Sequence, residues 1–161
     1  MKHGFTLIEI IVMVGIIGVF MGTGVVVYSR TIHKNNFTKD IDTVVDILHI
    51  AKQKTISRDT SGVPSCPTFA GYAVLFDPDN NRIVLEVGCG GFSHGISTYD
   101  LQNATFDNIV TPTLVEFLEP YGSLAADRTI RLKYPPTDQC INVIISAAGL
   151  IEKDPEPFDC V

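Results

Sequence analysis

The feature that most constrains this chain is a run without charge from Ile10 to Tyr28, close to the start and preceded by one carboxylate, Glu9. A secretory signal has a basic start, an apolar stretch of roughly 7–15 residues and then a small-residue cleavage site. Here the apolar stretch is longer and no A-x-A-like site follows, which disfavours a plain signal. About 20 apolar residues span a bilayer, so a membrane anchor fits the length. Glu9 does not fit a simple anchor. A carboxylate in an apolar helix costs about 2.5–3.5 kcal/mol on insertion scales and calls for a partner. A place near the interface, at one end of the run, is the alternative.

Gly15, Gly18, Gly22 and Gly24 interrupt the run. Each weakens a helix interior by about 1 kcal/mol relative to Ala, yet small residues let membrane helices approach closely. Gly18 and Gly22 form a G-x-x-x-G. Close packing, local melting and ordinary transmembrane glycine content all stay open here.

Past Tyr28 the pattern changes. Phe37, Ile41, Val44, Val45, Leu48, Ala51 and Thr55 recur at helical spacing, while Lys39, Asp40, Asp42, Asp46, Lys52 and Lys54 fill the other side. That predicts an amphipathic helix with one face on a core. With the apolar run it forms one element from about Phe5 to Arg58, with Asn35-Asn36 as the weak point for a bend. Thr60 to Pro64 end it. Strands follow: Tyr72–Phe76 and Arg82–Val87 flank Asp77-Pro78-Asp79-Asn80-Asn81 as a hairpin. Further strands are expected at Ser97–Tyr99, Leu114–Leu118, Thr129–Tyr134 and Ile141–Ser146. The fold class is therefore α+β: a long N-terminal helix, hydrophobic in its first half, packed on a small antiparallel sheet or sandwich head.

Gly4-Phe5-Thr6-Leu7-Ile8-Glu9 resembles the class III leader and cleavage site of type IV pilins and pseudopilins. The resemblance implies cleavage after Gly4 by a prepilin peptidase, N-methylation of Phe5, and a role for Glu9 in neutralising the N-terminal amine of a neighbouring subunit. The physics is compatible, since two opposite charges in a low dielectric recover their desolvation cost only when paired in register. The segments Val115–Gly122, Thr129–Leu132 and Ile141–Gly149 are similar to the C-terminal half of GspH/FimT-like pilins, and the helical Ala51-Lys52 region is similar as well. The implied organisation is a leader at 1–4, a transmembrane and polymerisation helix at 5–29, its amphipathic continuation at 30–59 and a β-rich head at 60–161. In the pilin fold this is a structural subunit and not an enzyme, with no cofactor. It is anchored in the cytoplasmic membrane by a single pass with its head outside, and then enters a pilus or type II secretion pseudopilus. Implied partners are other pilin or pseudopilin subunits, the prepilin peptidase, an inner-membrane assembly platform and the membrane itself. Lys2 favours a cytoplasmic N-terminus, whereas Arg30, His33 and Lys34 pull the other way, so orientation rests on the resemblance.

A minor subunit is the reading adopted; the alternatives are a major pilin or a DNA-uptake pilin. The chain has 12 Lys and Arg against 18 Asp and Glu, a net charge of −6. Removing Lys2 with the leader leaves 11 against 18, or −7. Binding to phosphate backbones needs clustered cations. The family's DNA-binding members carry basic residues after the last Gly, whereas Gly149 here leads into an acidic tail through Asp159. Nucleic acid is therefore disfavoured as a partner.

Cys66, Cys89, Cys140 and Cys160 all follow the apolar run. With no C-x-x-C and no His at zinc spacing, a structural metal site is disfavoured. An even count outside the membrane reads as disulfides. Three pairings are possible; Cys66–Cys89 at the hairpin base and Cys140–Cys160 tying the tail are favoured over free buried thiols. Asp77-x-Asp79-x-Asn81 begins like a calcium loop but has Arg82 where an EF-hand needs Gly, so a solvated turn is expected. Gly88-Cys89-Gly90-Gly91 lacks the Lys and Ser/Thr of a phosphate loop and reads as a flexible turn. Ser93, His94 and Asp100 have no triad spacing.

Overall fold

The computed structural model describes residues 6–61, 63 and 66–160, and within the helix it describes no side chain at 20–27, 29, 30 or 33. The chain divides into two compact units, Met1–Asn36 and Phe37–Val161. Helix α1 (Leu7–Ser57) opens at Thr6 and closes with Arg58 in the left-handed region, φ 50°. Among the described residues no helix is long and apolar enough to cross a membrane. The expected span runs through residues 20–27, whose side chains lie outside those described.

In the second unit, the helical periodicity decides where the core forms. Phe37, Ile41, Val44, Leu48, Ala51 and Thr55 are buried as the amphipathic spacing predicts, Val45 is only half-buried, and Ile47 joins the buried set. Two antiparallel sheets supply the rest. The first contains β1 (Phe69–Asp77), β2 (Arg82–Cys89), β3 (Phe92–Asp100) and β5 (Thr113–Leu118), ordered β3-β2-β1-β5. The second contains β4 (Thr105–Phe106), β6 (Arg128–Tyr134), β7 (Gln139–Ile145) and β8 (Ile151–Lys153), with β9 (Phe158–Asp159) also on β7. Alternation sends Ile83, Leu85 and Val87 of β2 inward, and Ile130, Leu132 and Tyr134 of β6 do the same. Both sheets and the helix share one core: Phe37 stacks on Tyr134 at 5.1 Å and Phe76 meets Phe106 edge-on at 5.8 Å. Each large side chain so buried contributes about 1.5–3 kcal/mol.

One turn and one strand differ from expectation. Gly90 and Gly91 have φ 62° and 85°, and Cys89 pairs directly with Phe92. Positive φ at both central residues is the primed two-residue turn that matches strand twist. The glycine-rich segment is thus a tight hairpin, not a flexible turn, and β3 begins at Phe92, well before the expected Ser97. The register between β2 and β3 shifts at Leu85/Glu86, leaving Ile96 as the extra residue. That bulge breaks the alternation that would have revealed the early half of β3.

Candidate functional site

Gly4 and Phe5 lie outside the described residues, so the site begins at Thr6. Its backbone N–H donates to Glu9 Oε2 at 2.8 Å and its hydroxyl to the same oxygen at 2.9 Å. The Glu9 N–H donates back to Thr6 Oγ1 at 3.4 Å. This reciprocal pair is a capping box, which satisfies two helix-terminal donors at once. Thr-x-x-Glu is the sequence signature for it, a signal passed over in favour of the carboxylate's charge. Glu9 is exposed and sits in the first helical turn, where the macrodipole favours an anion.

The polar side chains of the head turn out to be mostly internal fastenings. Asp40, expected on the solvent face of the helix, is buried at 7% exposure. Its Oδ2 accepts the backbone N–H groups of Gln102, Asn103 and Ala104 at 3.0, 2.7 and 2.9 Å. A helical side chain is drawn inward here because the connection after β3 brings three donors to it. Lys52, placed by periodicity on the polar side, is half-buried and donates to the Gly149 carbonyl at 2.9 Å.

The calcium-like motif is spent in the same way. Asp77 is buried; its Oδ1 accepts from Asn80 N at 3.3 Å, and its Oδ2 from Asn80 Nδ2 at 2.8 Å and Arg82 Nε at 2.9 Å. The Asn80 amide first, and Arg82 after it, hold this carboxyl below the ordinary Asp range against the cost of burial. The Asn81 amide donates to the carbonyls of Leu101 and Ala104. The turn is therefore tied to the loop that Asp40 grips.

At the helix end Lys54 donates to Asp59 at 2.5 Å, and its ammonium lies 5.6 Å from the centre of the Tyr72 ring. The hydrogen bond from Lys54 keeps the Asp59 carboxyl far below the usual range, and Ser61 adds to it; the same bond raises Lys54. The Thr55 hydroxyl accepts the Tyr72 N–H at 2.8 Å. Arg58 meets Glu119 through two guanidinium nitrogens, Nε at 2.6 Å and Nη2 at 2.9 Å.

Both favoured disulfides are present, Cys66–Cys89 and Cys140–Cys160. The Asp107 carboxylate lies within 4.8 Å of the Cys140 and Cys160 sulfurs. Those sulfurs are bonded to each other and Asp107 faces Arg131 at 3.5 Å, so the trio offers a metal no thiolate. Ser93, His94 and Asp100 are not brought together. Ser93 and His94 alternate across the sheet, and Asp100 lies opposite Arg82, roughly 20 Å along the strand from His94. The acidic tail folds as β8 and β9: Asp154 accepts the Asn142 N–H, Lys153 pairs with Asp42, and Phe158 covers Arg131.

No family model, curated protein or solved structure matches this chain.

Proposed function

We propose that the chain is a structural subunit, of the minor class, of a type IV pilus or type II secretion pseudopilus. It is cut after Gly4, methylated on Phe5 and assembled through its N-terminal helix. The observation that carries this reading is Gly4-Phe5-Thr6-Leu7-Ile8-Glu9 set directly before the uncharged run Ile10–Tyr28. An α+β head with two disulfides is what an extracytoplasmic subunit of this kind needs, since oxidising compartments preserve such bridges.

Glu9 gains a two-stage role in this reading. Before assembly its Oε2 is held by Thr6. In the filament, the free amine at Phe5 of a neighbouring subunit supplies a full positive charge, a stronger partner than neutral donors in a low dielectric. Replacing Glu9 by Ala is expected to leave the protein in the membrane while recovery in sheared filaments falls at least about tenfold, the scale of one lost buried charge pair. Recovery at the wild-type level would remove the inter-subunit role.

The deciding experiment is the intact mass of the protein from cells with and without a prepilin peptidase. A product starting at methylated Phe5 in the first strain alone is the expected result. An uncut chain in both strains would make this an ordinary membrane-anchored β-domain.

A further inference from the structure

The outward face of the first sheet has a charge pattern that the head does not itself complete. Strand register fixes what shares that face: Glu86 of β2 lies opposite Ala73 of β1, and Ala73 opposite Glu116 of β5. One step along the strands, Val84, Leu75 and Leu114 form a second row by the same pairing, continued at the sheet edge by Thr98. None of these belongs to the shared core. The three aliphatic side chains are half-buried, while Glu116 and Thr98 are exposed. Adjacent strands lie about 4.8 Å apart, so the two carboxylates stand about 10 Å from one another across Ala73. Among the described residues neither Glu86 nor Glu116 has an ion pair or hydrogen bond. Other charges of the head do pair internally, among them Arg131 with Asp107 and Lys133 with Asp138.

Two unpaired carboxylates beside an aliphatic row are complemented by a segment carrying two cations at the same separation with apolar residues between them. On a helix, positions i and i+7 lie on one side about 10.5 Å apart, which matches the gap. A second copy of this chain is a poor occupant, because its own net charge is −6 and like charges across an interface cost affinity. We infer that this face docks a basic segment of a different subunit of the same filament, whose two cations seat on Glu86 and Glu116 over the aliphatic row. The inference rests on the filament reading above.

The test places a benzophenone amino acid at Thr98 of the full-length chain in cells, with the same probe at Asp79 in the β1–β2 turn as background. Light-induced adducts are identified by mass. The expected adduct is with another filament subunit, at a peptide holding two Lys or Arg seven residues apart. Glu86→Lys with Glu116→Lys should lower its yield at least about tenfold, the scale of charge pairs at interfaces. Glu86→Gln with Glu116→Gln, which keeps side-chain shape, should lower it as well with an unchanged melting temperature; that variant decides the matter if the reversal disturbs the fold. An adduct with a second copy, or one indifferent to both variants, overturns the proposal. No adduct from a chain that is cut after Gly4 and recovered in sheared filaments also overturns it, and leaves the filament reading standing. A chain neither cut nor recovered in filaments overturns both.

Discussion

A carboxylate that accepts three backbone N–H groups has no ready substitute, and Asp40 is placed where its loss would be felt at a distance. Hydrogen bonds to a charged group contribute about 1.5–3 kcal/mol each, and donors left unmet add a desolvation cost. Asp40→Ala is therefore expected to destabilise the head by about 3 kcal/mol or more, read as a lower denaturant midpoint at unchanged slope. Periodicity could not find this residue, because its partners arrive from a loop some sixty residues later in the chain. Asp59 and Asp77 are expected to contribute to acid sensitivity. Both are held below the ordinary carboxylate range in the folded state, Asp59 mainly by Lys54 and Asp77 mainly by Asn80. The unfolded chain binds these protons more readily, so their contribution is complete above about pH 4 and is lost as pH falls through the folded values. Melting temperature should fall steeply below about pH 4, and Asp59→Asn should flatten part of that slope.

At the scale of elements, the inward face of the helix and the main strands were legible because their periods, 3.6 and 2, survive over many residues. β4, β8 and β9 were not, since two or three residues carry no period and exist only as additions to β6 or β7. Gly149, the last residue of the segment that resembles GspH/FimT-like pilins, has a more exacting place. Its φ is 78°, and a Cβ there would come within 2.2 Å of the Gly122 carbonyl oxygen. Two loops and the Lys52 ammonium converge on that point. Gly149→Ala should thus cost about 3 kcal/mol or more through combined backbone strain and steric clash, whereas Ala126→Gly on the exposed approach to β6 should change little. Comparing their urea midpoints checks the claim.

For the whole molecule, the two disulfides close loops with sequence separations of 23 and 20. Chain-entropy reasoning assigns about 3 kcal/mol to each. Full reduction is expected to lower the melting temperature by about 10 °C or more in a domain of this size, measured by thermal melts with and without a dithiol. The cysteine count and spacing made those bridges readable, and a short motif at the chain start carries the proposed function. The internal fastenings of the head stayed hidden because they are long-range hydrogen bonds between unrelated parts of the sequence. One of the visible bridges also sets an order of events. Cys140 waits for Cys160, at a sequence separation of 20, and the free edge of β7 is closed by β8 and β9 from the stretch just before it. Synthesis delivers that stretch after β7 itself. The second sheet therefore stays incomplete until residues 151–160 have emerged from the ribosome, and a chain cut short before Ile151 would leave β7 with one edge open.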